Sequence, residues 1–405
     1  MDNQFLYGLG SRVELLGALA MWLVIFLRLP TARHSRQQQM LLIAVMGVAG
    51  SITVYLDPVT AALNRTFTFA QSCGLFMNEW GVLGSALILD FVLAAVSRRR
   101  PWLIYGSMIV TMATLLVLNF TTAPHAGCVT SISVPWYSPF WWILIAAHLV
   151  GTIPCVVLCV RYARQAKGDR SLRVGLLLFA AGFTSSSVFW SVVLAFLLYR
   201  PAWLGALFPL NIGVTAWLMT AGAALPLVLR VHQMARNIIA LWRLRLLWSE
   251  LTEAVPHVTL NRPRPVIREV LGSPHSIYLR LYRRVIEIRD ALLILQDYVT
   301  PETVDVARRH VTAQALPEKQ IEPTITACWL EIARQAKAKG ASPQPNPLAS
   351  KHPSGHGLRS ETDFLLDVVR ARKLPSLRLF ALSQTVPHAT VPGRYDHKSS
   401  APTKE

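Results

Sequence analysis

The first 229 residues contain a single lysine, Lys167, and six acids. Charge is scarce in this chain, and the scarcity is local. The whole sequence is 15% charged, against about 25% in ordinary soluble domains. Residues 1–229 hold 14 Lys/Arg and 6 Asp/Glu, whereas residues 230–405 hold 26 and 16. The front therefore belongs to the membrane class and the rear has ordinary charge. Lys167 lies between two hydrophobic runs, so no helix offers a retinal Schiff base. Cysteine is also sparse. Five are present, with no metal-type spacing, and neither a metal nor a cofactor is expected. No phosphate-binding glycine loop with lysine, no paired-histidine zinc helix and no Gly-x-Ser-x-Gly elbow occurs. Those absences weigh against an ATP-driven pump and the common membrane hydrolases. No internal repeat relates the first three hydrophobic runs to the last three, which weighs against a repeat-built transporter. The N-terminal run lacks a positive flank and a small-x-small cleavage site, so it is expected to be an uncleaved anchor. Lysine is outnumbered by arginine, 8 to 32. That ratio reads as codon bias in a GC-rich genome and points to an actinobacterial origin.

What is present in the front is apolar runs. A bilayer core takes about 20 apolar residues as helix. Seven runs qualify, near 8–28, 40–62, 74–96, 101–121, 139–160, 173–199 and 203–229. The basic loops set their orientation. Arg28, Arg33 and Arg36, then Arg98, Arg99 and Arg100, then Arg161, Arg164, Lys167, Arg170 and Arg173 fall on one side. Arg12, Arg65 and Arg200 fall on the other. The expected fold is all-α: a seven-transmembrane-helix bundle with its N-terminus outside and C-terminus inside, followed by a small cytosolic α-helical domain. The expected location is a bacterial plasma membrane. Trp136, Trp141, Trp142 and Trp203 are read as interfacial anchors.

Ionisable groups inside such a bundle are costly, and they mark candidate pathways for a ligand or ion. They are Asp90, Glu79, His148 and Asp57, with Asn78 and Asn211 as polar company and Glu14 near the start of the first run. Glu14, Asp57, Asn78, Glu79 and Asn211 fall in the outer third and form a candidate vestibule. Glu79 and Asp90 are 11 residues apart, close to three helical turns, and share a face. Asp90 is the leading functional acid and His148 is its candidate partner. Interfacial solvation is the competing reading for the outer acids. The 184–187 stretch of Thr and Ser is read as a close-packing, hydrogen-bonding seam. Cys73 and Cys128 face the oxidising side, where a disulfide between them is permitted.

The rear begins with an amphipathic stretch. Leu241, Leu244, Trp248 and Leu251 share a face by 3–4 spacing. Arg236, Trp242, Arg243, Arg245 and Trp248 could meet a lipid interface with anionic headgroups. Packing on the tail's own core is the equal alternative. Leu281, Val285, Ile288, Leu292 and Leu295 define a second amphipathic helix. Arg283, Arg284, Glu287 and Arg289 on it are expected to form a surface for a cytosolic protein partner. Thr300-Pro301-Glu302 starts a third helix. A fourth covers about 322–339, and Ser360 with Asp363 suggests a capping box for the last. The organisation expected is 1–229 transmembrane, 230–256 juxtamembrane helix, 257–340 helical domain, 341–357 flexible linker, 358–375 terminal helix and 376–405 disordered tail. Acids interleave with the basic residues and no DNA-binding motif appears, so nucleic acid is not an expected partner. The oligomeric state is left open.

Two stretches carry a family likeness, 241–260 (LWRLRLLWSELTEAVPHVTL) and 281–299 (LYRRVIEIRDALLILQDYV). With the hydrophobic front they resemble an actinobacterial family of multi-pass proteins designated transporters, which end in a cytosolic helical domain of unknown function. The run 281–290 is the most specific part, and the likeness extends to about residue 373. It departs at 243–247, where relatives often carry Leu-Trp-Pro, and in the final tail. The resemblance implies no particular activity, substrate or site residue. The reading that follows is a membrane receptor, regulator or scaffold coupling the bundle to the tail. The alternative is a secondary transporter of a small molecule or ion using Asp90, Glu79 and His148.

Overall fold

The computed structural model describes residues 3–32, 35–66, 70–96, 98–121, 138–166, 168–199, 201–259, 273–314, 316–344, 357–375 and 377. Cys128, Trp136, the 261–265 linker and the terminal tail beyond 377 lie outside the described residues, as does most of the 341–357 linker. The same holds for the side chain of Cys73, so the Cys73–Cys128 pairing falls outside them too. The described secondary structure is helical throughout, with no strand among the described residues. The chain divides into two compact units, Met1–Arg230 and Val231–Glu405.

The first unit holds α1 (Asn3–Ala32), α2 (Arg36–Thr53), α3 (Asp57–Thr66), α4 (Ala70–Ala95), α5 (Pro101–Thr121), α6 (Pro139–Gln165), α7 (Arg170–Tyr199), the short α8 (Ala202–Gly205) and the start of α9 (Phe208–Ala254). Six helices are long and apolar enough to cross a bilayer. The count is seven if α2 and α3, bent by 79° across residues 54–56, make one broken span. The second hydrophobic run of the sequence is therefore two helices, with Asp57 opening the second of them. The unit is apolar on its outside as well as within. Phe26, Val150 and Trp102 are 64%, 67% and 74% exposed. Water would penalise that surface, whereas acyl chains match it. This is an integral, multi-pass membrane protein.

Lipid gives no hydrophobic drive between helices, so close contact and hydrogen bonds hold them together. Gly50 of α2 lies under Trp80 of α4, where any Cβ would run into the indole ring. The same indole donates to the Gly47 carbonyl at 3.2 Å. On α9, a Cβ at Gly213 would come within 2.7 Å of the Glu14 backbone nitrogen of α1. Two apolar clusters result. One gathers Met21, Ala49, Cys155 and Ala216, and the other gathers Leu115, Phe140, Leu144 and Leu197. Trp141 belongs to the second cluster and is buried rather than interfacial, because it faces α7 and not lipid. Trp142 and Trp203 remain exposed, as interfacial anchors would be.

The second unit holds the rest of α9, a 3-10 turn at Pro256–Val258, α10 (Pro274–Gln296), α11 (Pro301–Thr312), α12 (Glu318–Ala338) and α13 (Leu358–Ala371). Local chemistry sets the ends. Ser273 and Thr300 cap α10 and α11 by accepting from Ser276 N and Thr303 N, each with proline next in line. Helix α12 stops in a Schellman turn, with Ala341 N bonded to Ala336 O and Gly340 N to Lys337 O, and φ +79 at Gly340. Helix α13 starts earlier than the Ser360 capping box implies. Gly357 at φ +127 is its N-cap, so Ser360 lies inside the helix.

These helices close over one apolar core. Leu241, Leu244, Trp248 and Leu251 are buried in it with Ile277, Leu281 and Ile288. The stripe on α9 therefore covers the tail's own core, and Trp248 is not at a lipid interface. Trp242 and Arg243 point the other way and are exposed. The charged face expected on α10 is also different. Glu287 is buried and accepts from Trp248 Nε1 at 2.6 Å. Arg284 is buried, donates to the Leu241 carbonyl at 2.8 Å and lies over the Trp248 ring. Arg289 is paired with Glu361. Of the four residues assigned to a partner surface, Arg283 alone is exposed. The cause is that α10 packs against α12 and α13 as well as bonding to α9, so it has more than one buried side.

An ion-pair cluster and a buried indole–carboxylate hydrogen bond flank this core. Arg372 bridges Glu250 at 2.6 Å and Glu331 at 3.4 Å. Burial acts to raise the Glu331 carboxyl, but hydrogen bonds from Arg334 and Gln335 outweigh it and hold the group below its usual range. A depressed carboxylate contributes stability above its unfolded pKa, and that stability is lost as pH falls through the folded value. Glu331→Gln should therefore speed amide exchange in 318–338 of the intact chain at pH 7, with the difference shrinking as pH falls through the lowered Glu331 pKa and wild-type Glu331 also becomes neutral. Trp248→Phe keeps the packing and removes a donor from a buried carboxylate, so it should destabilise the tail by roughly 1.5–3 kcal/mol. Amide exchange across α10 would measure the loss.

Candidate functional site

Among the described residues of the first unit, three cavities bear on the site. The first, about 70 Å³, is lined by Glu14 of α1, Tyr55 and Asp57 at the bend between α2 and α3, Asn78 of α4, Trp141 of α6 and Trp190 of α7. The second, about 90 Å³, is lined by His148 and Thr152 of α6, Ser85 of α4, Ser186 of α7, and Asn211 and Thr215 of α9. They share Tyr55, Phe189, Trp190 and Ile212 as a common wall. The third, about 690 Å³, is almost wholly apolar and shares Val48, Ile88, Phe183 and Met219 with the second. The three run in series from the Asp57 end of the bundle to the α6–α7 turn.

The first cavity is built on carboxylates. Asp57 begins α3, where the helix N-terminus favours an anion. It accepts from Tyr7 Oη at 2.9 Å and Ser11 Oγ at 3.1 Å. Glu14 is 4% exposed, and its Oε1 has no hydrogen-bond partner among the described residues. The close approach of α1 to Gly213 pins its backbone. Asn78 is engaged, accepting from Tyr55 and donating to the Gly74 carbonyl, both at 2.8 Å. In the second cavity, Asn211 Oδ1 is also buried without a partner among the described residues. Each of the two small cavities thus has one buried oxygen without a partner among the described residues, and the first also has an unpartnered donor, Trp141 Nε1. An ionised carboxyl there needs a positive partner, and an amide oxygen needs a donor. Among the described residues, no group of three or more His, Cys, Asp or Glu could hold a metal.

His148 stacks on Trp190 at 3.8 Å between ring centroids. Its Nδ1 is 2.9 Å from the Leu144 carbonyl, and its ring also bonds the Gly81 backbone. Thr152 links α6 to α7 through Ser187 at 2.9 Å, and Thr215 links α9 to α7 through Ser185 at 2.9 Å. The 184–187 seam is therefore interhelical in part and forms one wall of the second cavity through Ser186.

The acids named from sequence separate into different roles. Asp57 and Asn78 join Glu14 at the first cavity, and Asn211 and His148 line the second. Glu79 is half-buried and lines none of the three. Asp90 is not His148's partner. It is 3% exposed and bonded to Arg99 Nε and Nη2, both at 2.8 Å, and to Tyr105 Oη at 3.1 Å. The Asp90 hydrogen bonds raise the Arg99 guanidinium further above its ordinary value. This bidentate pair ties α4 to the start of α5 and leaves no free carboxylate for an ion. Tyr7, Ser11, Tyr55 and Trp190 are site residues that spacing could not find, since hydroxyls and indoles in apolar runs carry no pattern.

Asp90→Asn should lower the melting temperature of the intact protein in nanodiscs, by about 1–3 kcal/mol of stability, and leave small-solute binding unaltered. A variant with wild-type stability would contradict the structural role.

The family of unknown function DUF6545 matches residues 233–374. That stretch covers the second unit, where the sequence likeness is most specific. No curated protein and no solved structure matches the chain.

Proposed function

We propose that this membrane protein is a receptor or regulator that admits a small cationic, hydrogen-bond-donating solute at the Asp57 end of its bundle. The observation that carries the reading is Glu14 Oε1, buried and without a partner among the described residues, beside Asp57 and next to a cavity with a second unpartnered oxygen on Asn211. Tyr55 and Trp190 form the wall between the two cavities and suit a cation, because aromatic faces attract positive charge. With 11 basic residues on the opposite loops, this end faces outside and the tail faces the cytosol. Helix α9 supplies Ile212 and Thr215 to the cavities and runs unbroken to Ala254, inside the family-matched domain. It is the covalent route by which occupancy would bias a cytosolic protein partner of the tail.

Transport of the same solute is the second reading. The serial cavities favour it, as does the transporter designation of the family the sequence resembles. In that reading the cavity-lining Glu14, Asp57 and His148 would be the carriers, in place of Asp90, which Arg99 and Tyr105 hold.

Guanidinium and methylammonium are the probes. Either should raise the melting temperature of the intact protein in nanodiscs relative to equal sodium, and Glu14→Gln should abolish the shift. Equal shifts in wild type and Glu14→Gln would overturn the site. Proteoliposome uptake of the probe would move the assignment from receptor to transporter. A cytosolic protein retained by the intact chain and lost on truncation after Arg230 would fix it as a receptor.

A further inference from the structure

The third cavity differs in kind from the other two. At about 690 Å³ it falls within the ordinary range for ligand pockets. Its walls come from five helices, with Val45, Phe91, Leu158, Leu176, Phe179 and Leu225 among them. Among the described residues, no acid or base lines it except Asp169, at one end. Cavities with such walls do not hold water. The unit around it is embedded in lipid, so the apolar material at hand is acyl chain.

The polar rim is confined to the α6–α7 turn, where Tyr162, Gln165, Asp169 and Ser171 line the opening. Tyr162 and Leu172 at this rim are 37% and 53% exposed, so the cavity opens here. Exposed arginines surround it. Arg161 and Arg164 close α6, and Arg170 and Arg173 open α7. Ala95 and Val96 also line the cavity, and Arg98 and Arg100 follow them directly. Asp169 is the one acid at this rim among the described residues, and its Oδ1 accepts from the Leu172 amide at 3.0 Å. Arg99 is neutralised by Asp90 and takes no part.

We infer that this cavity is a binding site for one anionic phospholipid, with an acyl chain between α2, α4, α6, α7 and α9 and its phosphate among the arginines of the two turns. The apolar depth selects a chain, and the six arginines against one acid select a negative head. This site is separate from the polar cavities, and its occupancy does not depend on a solute at Glu14.

The test is native mass spectrometry of the intact protein in detergent, titrated with phosphatidylglycerol or phosphatidylcholine. One phosphatidylglycerol per chain should survive transfer, held roughly tenfold or more tightly than phosphatidylcholine. Gly175→Leu fills the slot at a position where a Cβ meets Leu225 at an ordinary 3.5 Å, and it should remove the retained lipid. The paired change Arg170→Gln and Arg173→Gln touches exposed side chains and should abolish the preference for the anionic head while the protein stays folded. Equal retention of both lipids would overturn the headgroup assignment. Retention unchanged in both variants would show ordinary boundary lipid and overturn the site. Should Gly175→Leu fail to fold, the arginine variant decides the matter alone.

Discussion

Inside a bilayer, every polar group must find its partner within the protein, and the first unit is organised by that constraint. Its hydroxyls bond back along their helices or across to the next one, as Thr152, Ser187 and Thr215 do. Its deepest acid at the arginine-rich end, Asp90, is held by a guanidinium and a phenol. Against that background, Glu14 and Asn211 stand out. Ser138 Oγ, Trp141 Nε1 and Thr220 Oγ1 are likewise buried without partners among the described residues, but of the five only Glu14, Trp141 and Asn211 line the two polar cavities. The same rule separates structural polarity from functional polarity more sharply than residue type does.

The second unit obeys a different solvent. Its polar groups can reach water, and its stability rests on one apolar core. Two charged groups are nevertheless buried on α10. Glu287 and Arg284 converge on Trp248, one through the indole N–H and the other over the ring. This arrangement fixes the register of α10 against α9, since a one-residue slip would leave both charges unpaired. Most of this unit, residues 233–374, is matched by a family of unknown function.

The helices and their membrane character were legible because 20-residue apolar runs and 3–4 spacings survive any tertiary arrangement. The tail core was legible for the same reason, down to the α9 stripe of Leu241, Leu244 and Leu251. What spacing left undecided was which neighbour the stripe met, and the tail's own helices proved to be the answer. The partner surface failed because α10 is packed on more than one side, a fact carried by α12 and α13 and not by its own sequence. The break at 54–56 went unseen because Asp57-Pro58 sits in a run whose average hydropathy stays high. In the candidate site, the acids could be named, but their roles could not. Arg99 reaches Asp90 from nine positions away, and Tyr7 and Ser11 reach Asp57 from about fifty, so pairing depended wholly on how the helices cross.

The three cavities and the inferred lipid bear on one another. The polar cavities sit at the end with few basic residues, and the apolar one opens among six arginines. A single wall of Val48, Ile88, Phe183 and Met219 divides polar from apolar, with no ionisable side chain in it. A small cation entering at Glu14 would meet that wall as a barrier, since the described lining beyond it is apolar up to the rim of Tyr162, Gln165, Asp169 and Ser171. A lipid chain in the last cavity would raise the barrier further. The arrangement therefore favours a solute that binds and leaves by the same end, with α9, which contributes Met219 to the wall, sensing both occupants. A bundle built to pass the solute through would need polar groups along the cavity beyond that wall, and among the described residues they gather at its far rim, on Tyr162, Gln165, Asp169 and Ser171.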